Sequence, residues 1–126
     1  MESLNFINKQ MELLSIPYQF GEWSSDIVPD TYFVGEIMDE PATTEDGAEA
    51  STMMLTGFNR GGQYLTLETI KKQIKRHFDS ITGLYAKTES GSINVAYENS
   101  FYIPSGEADI KKIQINLKIK EWKGAV

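Results

Sequence analysis

The sequence contains no cysteine and a single histidine among its 126 residues. Without cysteine there is no disulfide framework, no thiolate metal site and no cysteine nucleophile. No apolar run approaches the roughly 18 residues of a membrane span, and residues 1–10 lack the basic and apolar regions of a signal peptide. We therefore expect a soluble protein that does not enter a membrane, with the cytosol as the default compartment.

Motifs for catalysis and cofactor binding are also scarce. His77 lies beside Arg76 and Asp79, but no serine sits in a G-x-S-x-G elbow, so a triad assembled in space stays open only as a minor alternative. The glycines around Arg60 match no phosphate-binding pattern, and the acidic residues at 39–49 do not follow the EF-hand spacing. We expect no enzyme, and no catalytic, cofactor-binding or metal-binding residues.

Charge is distributed unevenly along the chain, whose net charge is −6. Residues 1–50 hold eleven acidic side chains and one basic side chain, which gives −10, whereas residues 51–126 hold eleven basic and seven acidic side chains, which gives +4. The acidic sum argues against general affinity for nucleic acid, and we also expect no sequence-specific nucleic-acid binding. The two halves either neutralise each other within one fold or let copies meet head to tail.

The clearest structural signal is the final strand, predicted at residues 110–122. Apolar side chains at 113, 115, 117 and 119 alternate with polar ones, which is typical of a strand with one buried and one wet face. The wet face carries Lys112, Lys118 and Lys120. These lysines either discourage edge-to-edge pairing of strands or form a basic surface that faces a partner.

The other segments predict a single α+β domain over residues 1–126, with a mainly antiparallel sheet and two helices packed on one side. Thr66 is the expected cap of the second helix. That helix carries four basic residues within six positions, which form either a solvated face or a partner contact: Lys71, Lys72, Lys75 and Arg76. The predicted elements are a helix before Pro17, strands at 18–23, 31–38, 50–58, 92–98 and 110–122, and a helix at 67–78.

Three stretches resemble a known family. They are residues 32–39 (YFVGEIMD) running into the loop 40–47 (EPATTEDG), residues 52–60 (TMMLTGFNR) and residues 107–122 (EADIKKIQINLKIKEW). Together they resemble the minor tail proteins of the tail-terminator family, also called tail-completion or neck proteins. These come from prophages and long-tailed phages of Gram-positive bacteria.

The resemblance implies a structural virion protein of the tail or neck, assembled in the host cytoplasm. Such a subunit forms a homo-oligomeric ring, commonly a hexamer, that caps the tail tube protein and meets the head connector proteins, with no cofactor. It also implies acidic contacts at a hairpin tip and basic contacts to acidic partners. The candidate assembly contacts are Asp39, Glu40, Glu45, Asp46, Glu49, Lys71, Lys75, Lys118 and Lys120.

A second hypothesis is a small soluble protein-binding module of bacterial origin without catalytic activity. It would use Trp23, Tyr32 or the basic flank of the second helix against a protein partner.

The alternation in the final strand makes a direct prediction. Leu117→Lys should unfold the domain, because a buried unpaired charge costs several kcal/mol, against a total stability of about 5–15 kcal/mol. Lys118→Glu should leave folding intact and alter association instead. Urea unfolding and light scattering of both variants check this, and the reverse pattern would mean that the two faces are interchanged.

Overall fold

The computed structural model describes residues 2–40 and 47–123. The two helices are α1 (Glu2–Leu13) and α2 (Tyr64–His77). The strands are β1 (Tyr18–Phe20), β2 (Thr31–Asp39), β3 (Glu49–Asn59), β4 (Leu84–Thr88), β5 (Gly91–Ile103) and β6 (Lys111–Lys123). In the part of the chain that is described, no helix is long and apolar enough to span a membrane.

All six strands form one sheet, in the order β1-β2-β3-β6-β5-β4. The pairs from β2 to β4 are antiparallel, but β1 runs parallel to β2, and the sheet curls into a half-barrel. Our prediction of a mainly antiparallel sheet is therefore wrong. The sheet is mixed, although the chain is α+β overall.

The parallel pair arises from the way the chain leaves α1. The Phe33 N–H donates to the Pro17 carbonyl and the Gly21 N–H donates to the Gly35 carbonyl, each at 2.8 Å. Residues 21–30 then carry the chain back to the start of β2. Parallel neighbours usually need a connection of about a dozen residues or more. A shorter one is enough here because β1 has only three residues.

The core lies on the face of the sheet that both helices cover. On β6 the side chains at 113, 115, 117 and 119 are all fully buried, which confirms the predicted alternation. They join Ile7 and Met11 of α1 and Leu67 and Ile74 of α2 in one apolar cluster. The opposite face of the sheet, which carries the lysines of β6, is called the outer face below.

The second helix begins earlier than predicted, at Tyr64, so Thr66 lies inside it and does not cap it. Its N-cap residue is Gln63, whose side chain makes no capping hydrogen bond. Instead, Asn59 Oδ1 accepts hydrogen bonds from the backbone N–H groups of Gly61 at 3.1 Å and Gln63 at 2.7 Å. A side chain at the end of β3 therefore orders the link into α2.

Two strands also differ from the sequence expectation. Residues 84–88 form an edge strand, β4, where the sequence indicated only the approach to a turn. The aromatic residues at 101 and 102 belong to β5, which continues past its expected end through a bulge between Tyr97 and Asn99. A bulge adds one residue to the strand and shifts the alternation by one, so the pattern of two short segments hides one long strand.

Gly57 on β3 gives a test of core packing. A β-carbon there would lie 2.4 Å and 2.5 Å from ring atoms of Phe33 and 3.0 Å from Cγ2 of Ile113. Gly57→Ala should therefore destabilise the fold by about 1–3 kcal/mol through overpacking, as measured by urea unfolding. The same change in a Phe33→Leu background should cost less, because the opposing ring is gone. An equal cost in both backgrounds would contradict this packing account.

Candidate assembly surface

The predicted acidic contacts flank the connection between β2 and β3. Asp39 is the last residue of β2, Glu40 follows it, and Glu49 is the first residue of β3; all three are exposed. Glu45 and Asp46 lie outside the described residues. The two strands therefore place carboxylates at one end of the sheet.

One predicted acidic contact and one predicted basic contact meet within the chain. Lys118 Nζ forms an ion pair with Glu40 Oε1, and the two side chains are 29% and 36% exposed. A partly exposed pair of this kind contributes about 0.2–1 kcal/mol, because solvent screens the attraction between the two charges. At this point the opposite charges of the two halves neutralise each other within one fold. Whether either residue also contacts another copy stays a prediction.

The lysines of β6 do not protect a sheet edge. Lys112, Lys118 and Lys120 point to the outer face, and β6 lies in the interior of the sheet between β3 and β5. Charged residues that discourage strand addition have to sit on edge strands. Of the two interpretations of these lysines, edge protection is therefore excluded.

The basic flank of α2 runs beside β5. Lys71 Nζ donates to Glu68 Oε1 at 2.6 Å, and the Tyr102 hydroxyl donates to the same oxygen. These two hydrogen bonds, with the larger effect from Lys71, hold the pKa of Glu68 below its usual value. Further along the helix, Lys75 Nζ lies 5.4 Å from the centre of the Tyr97 ring, a cation–π contact.

Aromatic side chains stack across one end of the outer face. The ring centres of Trp23 and Tyr32 are 5.2 Å apart, and those of Tyr32 and Phe58 are 4.9 Å apart with an angle of 16° between their planes. Lys112 Nζ lies 5.3 Å from the centre of the Phe58 ring. Sequence reasoning named Trp23 and Tyr32 as candidate contacts and Lys112 as part of a basic face, but it missed Phe58. Phe58 is the cross-strand partner of both Tyr32 and Lys112, and this register depends on a strand order that the sequence alone does not specify.

A second aromatic cluster lies where α2 begins and β5 ends. Tyr64 and Tyr102 meet edge to face with ring centres 5.0 Å apart, and Lys111 Nζ lies 4.8 Å from the centre of the Tyr64 ring. Phe101 and Leu65 nearby in the chain are 50% and 77% exposed. Tyr64 and Tyr102 are themselves 49% and 37% exposed, and adjoining exposed rings of this kind are typical of contact surfaces, whereas Phe101 lies on the outer face, away from α2. Sequence reasoning did not single out any of these residues.

His77 has the contacts of a residue at a helix flank. Its Nε2 lies 2.6 Å from Gln10 Oε1 of α1, and its ring packs edge to face on Phe78 with centres 4.9 Å apart. Burial lowers the pKa of His77 below its usual value. Asp79, the neighbouring carboxylate, instead accepts hydrogen bonds from the backbone N–H groups of Ile81 and Thr82. The contact between His77 and Gln10 therefore joins the two helices.

Metal ligands do not converge in the described part of the chain, where no group of three or more histidine and carboxylate side chains is placed to hold an ion. The candidate assembly residues that the structure describes lie at the facing ends of β2 and β3, on the outer face and on the α2 flank, and their role as contacts stays a prediction.

The burial of His77 predicts a dependence of stability on pH. Because its pKa is lower in the folded protein than in the unfolded chain, the unfolded chain binds a proton first as the pH falls below about 6.5. Thermal unfolding from about pH 7.5 to about pH 5.5 should therefore show a falling Tm, and less of a fall in His77→Gln. Carboxylates with a lowered pKa, such as Glu68, change the stability only at lower pH, and they are present in both the wild-type protein and the variant. Identical pH profiles would contradict this assignment.

No protein-family model and no curated protein matches the sequence. Among solved structures, the fold is similar to that of a chain in the virion of a native gene transfer agent particle, with a TM-score of 0.62. The similarity covers 90% of this chain and 84% of that chain, with 8% sequence identity. It therefore shows that the two chains share a fold over nearly their whole lengths.

Proposed function

We propose that this chain is a structural component of a phage-like virion and that it catalyses no reaction. The observation that carries the proposal is the similarity of fold to a virion chain, which extends over 90% of the molecule. Fold alone does not fix function, since one fold serves many roles. The surface adds support, because it carries one half-buried and one exposed aromatic cluster beside charged flanks, and aromatic side chains are enriched where proteins contact each other.

More narrowly, the proposed role is that of a ring-forming tail-terminator or tail-completion protein, which joins a phage tail to the head. The three stretches that resemble this family support that role, and so does the uneven charge. A net charge of −10 over residues 1–50 and of +4 over residues 51–126 suits copies that meet head to tail. The proposed partners are further copies, a tail tube protein and head connector proteins, and the proposed location is the neck of the virion.

Several contacts favour a non-catalytic role. His77, the only histidine of the sequence, contacts an amide oxygen of Gln10, and the nearby carboxylate of Asp79 accepts hydrogen bonds from backbone N–H groups. A general base needs a free ring nitrogen within hydrogen-bond reach of the proton that it removes. The contact with Gln10 instead uses His77 to hold two helices together.

The stacked rings of Trp23, Tyr32 and Phe58 favour a second candidate, a module that binds a different protein. Aromatic side chains are enriched in interface hot spots. The two candidates differ in one measurable property, since a ring requires association of the chain with itself and a binding module does not.

Light scattering coupled to size-exclusion chromatography tests the proposal. At low salt and high protein concentration we expect a mass that is a multiple of the 14.2 kDa chain. At about 1 M salt, where charges are screened beyond about 3 Å, we expect a shift toward the monomer. Electron microscopy of the low-salt fraction should show closed rings.

Two matched variants sharpen this test. Lys75→Gln removes a candidate basic contact on α2 and should weaken association. Lys9→Gln removes an exposed lysine of α1 outside the candidate set and should leave association unchanged. A mass of one chain at every protein and salt concentration would contradict the ring and favour the binding module.

A further inference from the structure

The sheet has two incompletely covered edges. On one side, β1 pairs only with residues 33–35 of β2, which continues to Asp39. On the other side, β4 pairs only with residues 91–95 of β5, which continues to Ile103. Among the described residues, no strand pairs with the outer side of residues 36–39 or of residues 98–103. These two segments are called the β2 half-edge and the β5 half-edge below.

Backbone groups of the β2 half-edge point outward. In β2 the backbone N–H and C=O groups of odd-numbered residues point toward β1, as the hydrogen bonds at Phe33 and Gly35 show. Those of even-numbered residues point toward β3, and the N–H of Glu40, just after β2, donates to the Ala50 carbonyl at 3.0 Å. The same alternation directs the N–H and C=O groups of Ile37 and Asp39 away from β3. They form a short template for strand addition.

Backbone groups of the β5 half-edge are arranged in the same way. The Tyr97 N–H points away from β6 and donates to the Phe78 carbonyl at 2.8 Å. After the bulge, Asn99, Phe101 and Ile103 take up the pairing with β6. The alternation therefore directs the N–H and C=O groups of Ser100 and Tyr102 outward. Each half-edge thus offers two residues, two positions apart.

We propose that the β2 half-edge of one copy pairs antiparallel with the β5 half-edge of a second copy, which joins their sheets. The inference rests on the proposed function in that it names the contact by which the copies would form a ring. In the sequence of antiparallel pairs β2-β3-β6-β5, β2 and β5 run in opposite directions. Copies that keep the same strand direction and the same outer face therefore bring β2 of one copy to β5 of the next antiparallel, with an offset along the strands that the register below defines.

The side chains fix one register. Pairing Ile37 with Tyr102 and Asp39 with Ser100 matches the outward backbone groups, and it sets Met38 opposite Phe101 on the outer face. Met38 and Phe101 are 53% and 50% exposed in the single chain. Their pairing covers both and forms a sulfur–aromatic contact.

Charge also fits this register. Asp39 would lie opposite Ser100, on the helical side of the joined sheet. Ser100 Oγ lies 2.6 Å from the Tyr97 hydroxyl, and Lys75 lies over the Tyr97 ring. The acidic end of β2 in one copy would therefore approach the basic flank of α2 in the next.

The end of β5 in one copy and the end of β1 in the next also fit this register. Ile103, the last residue of β5, would lie level with Glu36 of the neighbouring copy. Gly35, the residue before it, is the last one that β1 covers. The incoming β5 therefore ends where β1 ends, and the two occupy successive parts of one edge. Because the two half-edges differ, the contact is head to tail and repeats into a ring or a filament.

Cross-linking tests the register, and the natural chain has no cysteine to interfere. Met38 and Phe101 would form a non-hydrogen-bonded pair with Cα atoms about 4.5 Å apart, within the range of about 4.4–6.8 Å that a disulfide spans. Within one chain, the three strand spacings across β3 and β6 already separate them by about 14 Å, and an offset of four residues along the strands adds to this. Met38→Cys/Phe101→Cys should therefore give a ladder of covalent multimers under mild oxidation, which reductant abolishes.

Controls separate this contact from random collision. An equal mixture of the two single variants should stop at covalent dimers. Met38→Cys/Tyr85→Cys should give no ladder, because Tyr85 is 57% exposed but lies on β4, away from the half-edge.

Light scattering of the unoxidised double variant separates this inference from the proposed function. A stable oligomer without the ladder would overturn the paired half-edges and leave the ring in place. A monomer without the ladder, at every protein concentration, would overturn both. A ladder in Met38→Cys/Phe101→Cys and not in Met38→Cys/Tyr85→Cys would support the paired half-edges.

Discussion

The structure depends on β6, because this strand is paired along both sides and buried along one face. It bonds to β3 over residues 111–121 and to β5 over residues 112–123, so its backbone joins the two halves of the sheet. Its four buried aliphatic side chains each contribute about 1.5–3 kcal/mol. Together they are comparable to the net stability of a whole domain, about 5–15 kcal/mol. Both helices pack against the cluster that they form.

Sequence periodicity predicted which side chains of β6 and α1 face this core. It did not predict the features that depend on which strands pair with each other. The alternation in β6 is a property of the strand alone and could be read directly, as could the apolar stripe of α1. The direction of β1 could not, because periodicity is the same for parallel and antiparallel strands. Asn59, which orders the start of α2, acts from a preceding strand, and no pattern within the helix indicates it.

On the candidate surface, too, the sequence predicted individual residues but not their contacts. Its charged residues could be named from the sequence, but their neighbours could not, because Glu40 and Lys118 are 78 residues apart and meet only through the β2-β3-β6 register. Likewise, Tyr64 and Tyr102 come together only when α2 is placed beside β5. A long-range contact of this kind requires the strand order, which one sequence does not specify.

Lysines lie on a central strand of the sheet and are absent from its incompletely covered edges. Three of them lie on β6 in the middle of the outer face, where strand addition cannot occur. Residues 36–39 (EIMD) and 98–103 (ENSFYI), which line the incompletely covered edges, contain no lysine, arginine or proline to block strand addition, and their charged side chains are all carboxylates. Both segments instead carry an exposed apolar side chain, Met38 or Phe101, beside outward backbone groups. An isolated domain that kept such edges would be prone to uncontrolled pairing, whereas a subunit with two complementary edges directs that tendency into one contact.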